Sequence, residues 1–274
     1  MAKFTSLLSF SVIFIASALT GCHNVNDNHE IFKPIEKSLA GSWELTSSSR
    51  LGDNGETLEK HGPEGSCFIY RFNSDGSLIN VRTTPDGRQE LRSHKWEADE
   101  DNNGYRLDNA FNSIIRLTAD VLEFAKDSML ILDGDTAIMV PGKFGFKMKK
   151  IADEPSLAEK IAGKWVLSKT FEKTGDEWKE KTAASPIEAW RIFWDNGRVT
   201  GHSKEGDKVS DHEVNWLVNI NTGEITMYEG EISISAKFEL EDADTMVIYY
   251  NEDRDAATGK IISGEFKDIC IREI

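Results

Sequence analysis

The feature that most constrains the fold is an internal repeat. Residues 39–46 read LAGSWELT and residues 161–168 read IAGKWVLS, so that Trp43 and Trp165 lie 122 residues apart. A repeat with this separation indicates two copies of one small domain.

Further landmarks occur in the same order around each tryptophan. A short proline-started segment with helical character precedes each block, and an aromatic strand end later runs into a turn with glycine, where a positive φ is favoured. The matched segments are 34–40 and 155–162, 72–76 and 193–197, 94–96 and 215–216, and 120–124 and 244–249.

Between these landmarks the residues alternate with the period of β-strands. In 232–240 the apolar residues alternate with serine, lysine and glutamate, which places the apolar groups on one face. Turn-forming clusters at 99–104, 133–135 and 251–254 separate such runs. The sequence therefore predicts an all-β fold of antiparallel meanders, with a domain boundary at the acidic linker 152–155.

Each half of the chain resembles the lipocalin-like family in three features. These are a short helical lead-in, Gly-x-Trp at the start of the first strand and an up-and-down series of strands. The motif occurs twice, as Gly41-Ser-Trp43 and Gly163-Lys-Trp165. The tandem form is similar to lipocalin-like lipoproteins of Gram-negative bacteria. The resemblance implies two tandem small antiparallel up-and-down lipocalin-like β-barrels, 34–151 and 155–274, each preceded by a short helix. Each repeat is shorter than an ordinary lipocalin, which leaves the size of any cavity open.

The N-terminus has the pattern of a secretion signal. Lys3 is followed by an apolar run over 4–19, which is short for a membrane-spanning helix. The run ends in Leu-Thr-Gly-Cys22, which resembles the lipobox of bacterial lipoproteins. The resemblance implies that 1–21 is a signal peptide and that Cys22 carries acyl chains such as palmitate, which would anchor the protein to a membrane.

The mature chain then begins with a polar segment. Residues 22–33 predict a lipidated tether between the membrane and the first domain. By family resemblance, His23 after the cysteine fits sorting to the outer membrane. Localisation in the cell envelope is therefore expected, and the sequence leaves open whether the protein faces the periplasm or the outside.

Composition excludes several classes of partner. The formal net charge of −15 argues against binding to nucleic acid or to an anionic membrane surface. Apart from Cys22 only Cys67 and Cys270 are present, too few for a disulfide framework and wrongly spaced for zinc. Two lone thiols are expected, with Cys270 buried beside Phe266 on the inward face of the last strand.

The sequence contains no recognisable catalytic motif. The His-Glu pairs at His29 and His212 lack the second histidine of a zinc helix. The segment 201–206 has one residue too many for a nucleophile elbow and lies in a predicted hairpin. The sequence therefore predicts a protein that is not an enzyme and has no cofactor.

One segment matches the start of a calcium loop. Asp99, Asp101 and Asn103 precede Gly104 at alternate positions, as oxygen ligands do around calcium. The position of the bidentate glutamate holds Ala110, and the flanks have strand character. A solvated hairpin turn is the favoured interpretation, and a cation site is the alternative.

A tryptophan stripe, formed by Trp190, Ile192 and Trp194, lies on one face of a predicted strand. If Phe193 points inward like its counterpart Phe72, the stripe faces outward, where so much apolar area would favour a ligand or a protein partner. The alternative is that the stripe is the core-facing side of the strand.

The repeat also predicts a contact that closes each barrel. In lipocalin-like folds the first-strand tryptophan plugs the closed end, and a basic side chain from the last strand often lies across it. A shift of 122 residues relates Trp43 to Trp165 and Lys150 to Arg272. We therefore expect Lys150 to cover Trp43 and Arg272 to cover Trp165, with solvated strand ends as the alternative.

Two functions are consistent with this architecture. A closed barrel can hold a small apolar or amphipathic ligand, or it can be filled by its own side chains. The first case is a ligand-binding envelope lipoprotein. The second is a non-catalytic interaction or structural module that presents its surface to another envelope protein.

Overall fold

The computed structural model describes residues 30–62, 65–133, 136–181, 187–254 and 261–273. The signal peptide, Cys22 and the tether up to residue 29 lie outside the described residues. No helix in the described ranges is long and apolar enough to cross a membrane.

The described chain is built almost entirely from strands. The first repeat contains α1 (Ile35–Leu39), β1 (Gly41–Leu51), β2 (Thr57–His61), β3 (Cys67–Phe72), β4 (Ser77–Thr83), β5 (Arg88–Asp99), β6 (Gly104–Leu107), β7 (Ala110–Leu117), β8 (Val121–Asp133) and β9 (Thr136–Ile151). The second contains α2 (Leu157–Ile161), β10 (Gly163–Thr174), β11 (Glu177–Glu180), β12 (Ile187–Phe193), β13 (Arg198–Glu205), β14 (Lys208–Asn219), β15 (Glu224–Glu229), β16 (Ile232–Leu240), β17 (Thr245–Arg254) and β18 (Ile261–Glu273).

The chain divides into two compact units. Of the described residues, unit 1 comprises those up to Asn80 and those of Ser93–Asp153, and unit 2 comprises Val81–Arg92 and those from Glu154 onward. Unit 2 therefore includes the tip of the β4–β5 hairpin. There, Gln89 pairs with Val218 and its side-chain oxygen accepts a hydrogen bond of 3.2 Å from the backbone N–H of Ala158.

In unit 1 strand β1 pairs with neighbouring strands on both of its edges. This strand pairs antiparallel with β9 from Ser42 to Leu51, and its other edge pairs with β3 and β2. Strands β3 to β9 follow one another as neighbours. A β-bulge between Leu45 and Ser47 shifts the β1–β9 register by one residue.

In unit 2 strand β10 has the same role. It pairs with β18 on one edge and with β11 and β12 on the other, and β12 to β18 follow in sequence order. A bulge between Leu167 and Lys169 lies at the position that corresponds to the bulge in β1. The prediction of an all-β fold with a closed antiparallel barrel is confirmed.

Inward-facing apolar residues of successive strands form the cores, as the period of two predicts. Trp43, Phe72 and Phe124 are almost fully buried in unit 1, and Trp165, Phe193 and Phe266 are almost fully buried in unit 2. Alternation along β18 also places Cys270 inward.

The two thiols of the described chain are free. Cys270 is 3% exposed and Cys67 is half-buried, and neither forms a disulfide. The prediction of a buried, unpaired Cys270 is confirmed. Burial raises the pKa of the Cys270 thiol to about 11.

Candidate functional site

The first-strand tryptophan of unit 1 lies under the basic side chain predicted for it. Trp43 is the register partner of Lys150, whose Nζ lies 4.4 Å from the ring centroid, within cation–π range. The indole Nε1 donates to the carbonyl of Leu39 at 2.7 Å, and the Lys150 amine donates to that of Ala40. Both groups satisfy carbonyls at the end of α1 that have no partner within the helix.

Unit 2 repeats this arrangement with arginine. Arg272 pairs with Trp165 across β10 and β18, and its Cζ lies 4.2 Å from the ring centroid. The guanidinium donates to the carbonyl of Ala162 at 2.7 Å and to that of Ala243 at 2.9 Å. The contacts thus join the last strand, the first strand and the end of α2. That they close a barrel stays a prediction.

The geometry also explains the glycine of the Gly-x-Trp motif. Gly41 has φ +108° and Gly163 has φ +130°, both in the region that favours glycine. A Cβ at Gly163 would lie 2.6 Å from Nη1 of Arg272, and one at Gly41 would lie 3.1 Å from the Lys150 amine. Glycine is therefore required both by the backbone and by the close approach of the basic side chain.

The tryptophan stripe lies on the side opposite the core. Phe193 is 2% exposed, whereas Trp190 and Ile192 are half-buried and Trp194 is 45% exposed. Trp190 stacks on His202 with ring centroids 5.2 Å apart, so part of its area is already covered by a neighbouring strand. A ligand or partner for this surface stays a prediction.

The segment with the spacing of a calcium loop forms the turn between β5 and β6. The Asp99 carboxylate accepts hydrogen bonds from the backbone and side chain of Asn102 and forms an ion pair with Arg106. Asn103 adopts φ +49°, as asparagine does in tight turns. Asp101 lies in the same turn, and no cluster of three potential metal-ligating side chains occurs among the described residues.

A cavity inside unit 2 is the candidate binding site. Its volume is about 320 Å³, near the lower end of the roughly 300–1,000 Å³ range of small-molecule pockets. It is lined by Arg191, Phe193, Ile225, Met227, Ile234, Ala236, Ile248, Tyr250, Glu252, Asp253 and Asp268. The lining residues of β12, β15 and β16 keep a spacing of two along each strand, which identifies the cavity as the interior of this unit.

The cavity wall changes from buried to exposed along its length. Phe193, Ile225 and Ile248 are at most 9% exposed, whereas Ile234 is 64% exposed although it belongs to the inward face of β16. We conclude that the cavity opens to solvent beside Ile234 and that most of its wall is apolar.

One side of the cavity is polar and hydrogen-bonded. The Asp268 Oδ1 accepts hydrogen bonds from the Thr170 hydroxyl at 2.8 Å and the Tyr250 hydroxyl at 2.9 Å. Asp268 is 9% exposed, and burial raises the pKa of its carboxyl group. The same environment raises the pKa of Tyr250, because burial and the nearby carboxylate both disfavour a phenolate.

A row of register partners places two basic side chains on one face of the sheet. Arg191 is half-buried and lines the cavity, whereas His212 is exposed and does not line it. Trp165 pairs with Arg191, Arg191 with Gly201, and Gly201 with His212. Directly paired residues of neighbouring strands point to the same side of a sheet, so Arg191 and His212 share the inward face. A Cβ at Gly201 would lie 2.1 Å from the His212 ring, which therefore occupies the space above this glycine.

Aromatic rings lie at the equivalent inward positions of unit 1. Where unit 2 pairs Trp165 with Arg191 and Ile248 with Asp268, unit 1 pairs Trp43 with Tyr70 and Phe124 with Phe146. Phe124 and Phe146 stack with ring centroids 5.0 Å apart. At these inward positions unit 2 thus has polar or smaller residues, and its cavity lies beside them.

Unit 1 carries one unusual interior group of its own. Lys126 is 7% exposed, and its Nζ lies 5.0 Å from the ring centroid of Phe146. Burial lowers the pKa of this amine to about 6. Its counterpart in unit 2 is Tyr250, since Lys126 pairs with Phe144 and Tyr250 pairs with Phe266.

The polar cavity residues Arg191, Tyr250 and Asp268 belong to no recognisable motif of the sequence. A signal was present, because the repeat offset that relates Trp43 to Trp165 also relates Phe146 to Asp268. An acidic residue in place of an inward aromatic one indicates a polar interior. His212, which belongs to a His-Glu pair in the sequence, pairs with Gly201 on the inward-facing side of β14 and is exposed.

Comparison with known proteins assigns no family to the chain. No protein-family model and no curated protein matches it. The fold is similar to that of a protein of unknown function of the DUF3598 family from Nostoc punctiforme, at 11% identity over 86% of this chain and 97% of the other, with a TM-score of 0.25. It is also similar to a candidate outer membrane protein from Bacteroides fragilis, at 10% identity over 87% and 99% of the two chains, with a TM-score of 0.21. Likenesses this weak carry no functional argument, so function is argued from the chain's own residues.

Proposed function

We propose that the protein is a lipoprotein of the bacterial cell envelope that binds a small amphipathic ligand. Cys22 carries the lipid anchor, and each of the two units is a lipocalin-like barrel behind a short helix. The binding site is the interior of unit 2. The anchor places this site at a membrane surface, with the outer membrane as the proposed location.

The observation that carries the proposal is the composition of the unit 2 cavity. Apolar side chains such as Ile225 and Ile248 form the wall, and Arg191, Tyr250 and Asp268 supply polar groups at one side. Apolar area provides most of the binding free energy in such sites, and a few polar groups orient the ligand. An uncharged hydrocarbon could not form a hydrogen bond with Arg191, which favours an amphipathic ligand.

The volume limits the size of the ligand. At the roughly 30 Å³ that one water molecule occupies in the liquid, the cavity has room for about ten non-hydrogen atoms. Medium-chain alcohols and acids have this size. Longer chains would have to extend through the opening beside Ile234.

The test is calorimetric titration of the chain from residue 23 onward, which retains every described residue, with 1-octanol and with octanoate. We expect saturable binding of at least one probe. Ala236→Phe places a ring in the cavity and should abolish that binding. Lys237→Phe is the matched control, because Lys237 is the next residue on β16 and lies exposed on the outer face.

Three outcomes separate the alternatives. Binding that Ala236→Phe removes and Lys237→Phe preserves supports the interior of unit 2 as the site. Binding that survives Ala236→Phe contradicts this location. Absence of binding by both probes contradicts the proposed function.

A structural or interaction role is the second candidate, and two observations favour it. Aromatic side chains pack in the core of unit 1, and Trp194 is 45% exposed at the end of the tryptophan stripe. In this case neither probe binds. Site-specific crosslinking from position 194 in cells would then yield one defined envelope protein, and Trp190→Ala would reduce its yield.

A further inference from the structure

Strand β16 has a free edge along its first half. On one side Ile232–Lys237 pair continuously with β15, whereas on the other side β17 pairs only with Lys237–Leu240. Beyond this point β17 pairs with β18 alone. In the part of the chain that the structure describes, Ile232–Ala236 therefore have a strand partner on one edge only.

The alternation of backbone groups shows which residues direct donors and acceptors to this edge. The N–H of Phe238 donates to the carbonyl of Gly223, which lies just before β15. Backbone groups of successive residues in a strand point to opposite edges, so the odd-numbered residues of β16 point away from β15. Ser233 and Ser235 therefore direct their N–H and C=O groups to the free edge.

The side chains along the free edge are uncharged, and the largest of them are exposed. Ile232 is 75% exposed and Ile234 is 64% exposed, and Ser233 and Ser235 alternate with them. Proteins usually prevent the association of edge strands with charged residues, proline or a β-bulge. Ile232–Ala236 contain no charged residue and no proline, and their register with β15 is continuous.

A second free edge, in β14, differs from this one in charge. Among the described residues, Lys208–Val214 pair with β13 alone. This segment includes Lys208, Asp211 and Glu213. Charged side chains on an edge oppose the pairing of a further strand, so β14 has the protection that β16 lacks.

Unit 1 has no equivalent exposed apolar edge at the matching positions. The pairing of β6 with β7 repeats that of β15 with β16, so that Ala110 and Asn112 correspond to Ile232 and Ile234. Ala110 is 6% exposed and Asn112 is 1% exposed. The exposed isoleucines therefore distinguish unit 2 from unit 1 and are not a general consequence of the shared topology.

We propose that two copies of the protein associate through this edge, with their β16 strands antiparallel about a two-fold axis at Ile234. A symmetric antiparallel pair of Ile232–Ala236 segments is centred on the middle residue. Ile234 then faces Ile234 of the second copy, and Ile232 faces Ala236 of the second copy. Ser233 and Ser235 exchange backbone hydrogen bonds across the axis.

Charge complementarity identifies a second copy as the occupant of the edge. In this register Glu231 of one copy lies opposite Lys237 of the other, and the two-fold symmetry provides the contact twice. Both side chains are exposed, and neither forms an ion pair with another described residue. A pairing shifted by one residue would set isoleucine against serine. The edge is thus complementary to itself in its apolar, polar and charged pairs.

The length of the contact determines the affinity expected in solution. Specific stable interfaces generally bury more than about 1,000 Å², and one pair of short strands lies at the lower end of interface sizes. We therefore expect a reversible dimer that forms between micromolar and millimolar concentration. Copies anchored to one membrane would have a higher effective concentration and would associate more completely.

Analytical ultracentrifugation of the chain from residue 23 onward tests the association over this concentration range. The weight-average mass should rise toward twice the monomer mass. Ile234→Lys should weaken the association at least about tenfold, because two like charges replace the central apolar pair. Val209→Lys is the matched control, since Val209 is 56% exposed on β14 and lies outside the β16 edge. It should leave the association unchanged.

Charge reversal tests whether the partner is a second copy in this register. Glu231→Lys sets two lysines opposite each other and should weaken the association about two- to fivefold. Addition of Lys237→Glu exchanges the two charges and should restore the association. A partner of different sequence would not respond to the double variant in this way.

Cysteine crosslinking tests the register directly. With Cys67→Ser, the chain from residue 23 onward retains only the buried Cys270. Ile234→Cys then places two thiols opposite each other in a non-hydrogen-bonded pair, whose Cα separation of about 4.5 Å suits a disulfide. Ile232→Cys is the control, because Ile232 is more exposed but faces Ala236 of the second copy, so that its two thiols lie far apart.

The outcomes decide the inference. A dimer that Ile234→Lys weakens, and that crosslinks at position 234 more than at position 232, supports it. A dimer that Ile234→Lys leaves unchanged contradicts this interface. Crosslinking at position 232 that equals the crosslinking at position 234 contradicts the register. A chain that remains monomeric up to millimolar concentration and does not crosslink at position 234 contradicts the dimer.

Discussion

Arg272 and Trp165 face each other across β10 and β18, with the guanidinium carbon 4.2 Å from the centroid of the indole ring. The same arginine donates to backbone carbonyls of Ala162 and Ala243. A single side chain therefore connects the last strand, the first strand and the loop before β17. This relationship leads to the first prediction.

Arg272→Ala should destabilise unit 2 by roughly 2–4 kcal/mol, because it removes a cation–π contact and several charge-assisted hydrogen bonds. The emission of Trp165 should change as water reaches the ring. Urea unfolding followed by tryptophan fluorescence measures both effects. A loss no greater than that of Arg198→Ala, which removes an outward-facing ion pair, would contradict this role.

Lys150→Ala should destabilise unit 1 less than Arg272→Ala destabilises unit 2. The Lys150 amine lies 4.4 Å from the Trp43 centroid, and burial lowers the pKa of this amine. An ammonium lacks the planar fork of a guanidinium and is more strongly hydrated. The same urea experiment measures the difference, and an equal or larger effect of Lys150→Ala would show that stacking geometry is unimportant here.

The stability of unit 1 should depend on pH through Lys126. The pKa of this amine falls from 10.5 in the unfolded chain to about 6 in the folded one, so the unfolded state binds more protons between these values. The contribution of Lys126 to the free energy of unfolding therefore rises with pH from about 6 to about 10.5 and is constant below 6.

Lys126→Met removes the buried amine and should raise the free energy of unfolding at pH 7 by about 2–4 kcal/mol. The difference between variant and wild type should shrink as the pH approaches 10.5. Urea titrations at several pH values measure it. A difference that does not change with pH would mean that the amine stays charged in the folded protein.

The native protein should protect Cys270 from alkylation. Its thiol is buried, and its raised pKa keeps the thiolate fraction small at pH 8. In urea, the chain from residue 23 onward should react at two thiols, with equal counts with and without prior reduction. Mass spectrometry measures the counts, and a difference of two would indicate a disulfide.

Cys22→Ser should abolish lipid attachment. Cells that express the full chain and are grown with an alkyne analogue of palmitate should label the wild-type protein and not the variant, because the acyl chains depend on this cysteine. Cys67→Ser should label normally and serves as the control. Labelling that persists in Cys22→Ser would contradict the lipoprotein proposal.

Most of the strand architecture could be predicted from local pattern. Alternation in 232–240 placed Ile234 and Phe238 on one face, and the structure has both on the inward side of β16. The repeat offset related Lys150 to Arg272, and each is the register partner of its tryptophan. These predictions succeeded because successive side chains of a strand point to opposite faces of the sheet, so that every second residue lies on the same face.

The cavity could not be derived in this way. Arg191, Ile225 and Asp268 lie far apart along the chain, and they line one cavity only because β12, β15 and β18 fold into the same unit. Ile234 belongs to an inward face and is nevertheless exposed, because it lies at the opening. The assignment of residues 81–92 to unit 2 likewise depends on the pairing of β5 with β14.

Local alternation and a constant offset along the chain predict the strand periodicity, the internal repeat and the register that joins each tryptophan to its basic partner. The three-dimensional arrangement is needed to see that aromatic rings pack at the inward positions of unit 1, whereas unit 2 has a cavity there. That difference depends on the summed volume and charge of side chains from several strands: Phe124, Phe146 and Tyr70 in unit 1, Ile248, Asp268 and Arg191 in unit 2. Packing in a closed barrel is a collective property of facing residues, and no single segment of the chain encodes it.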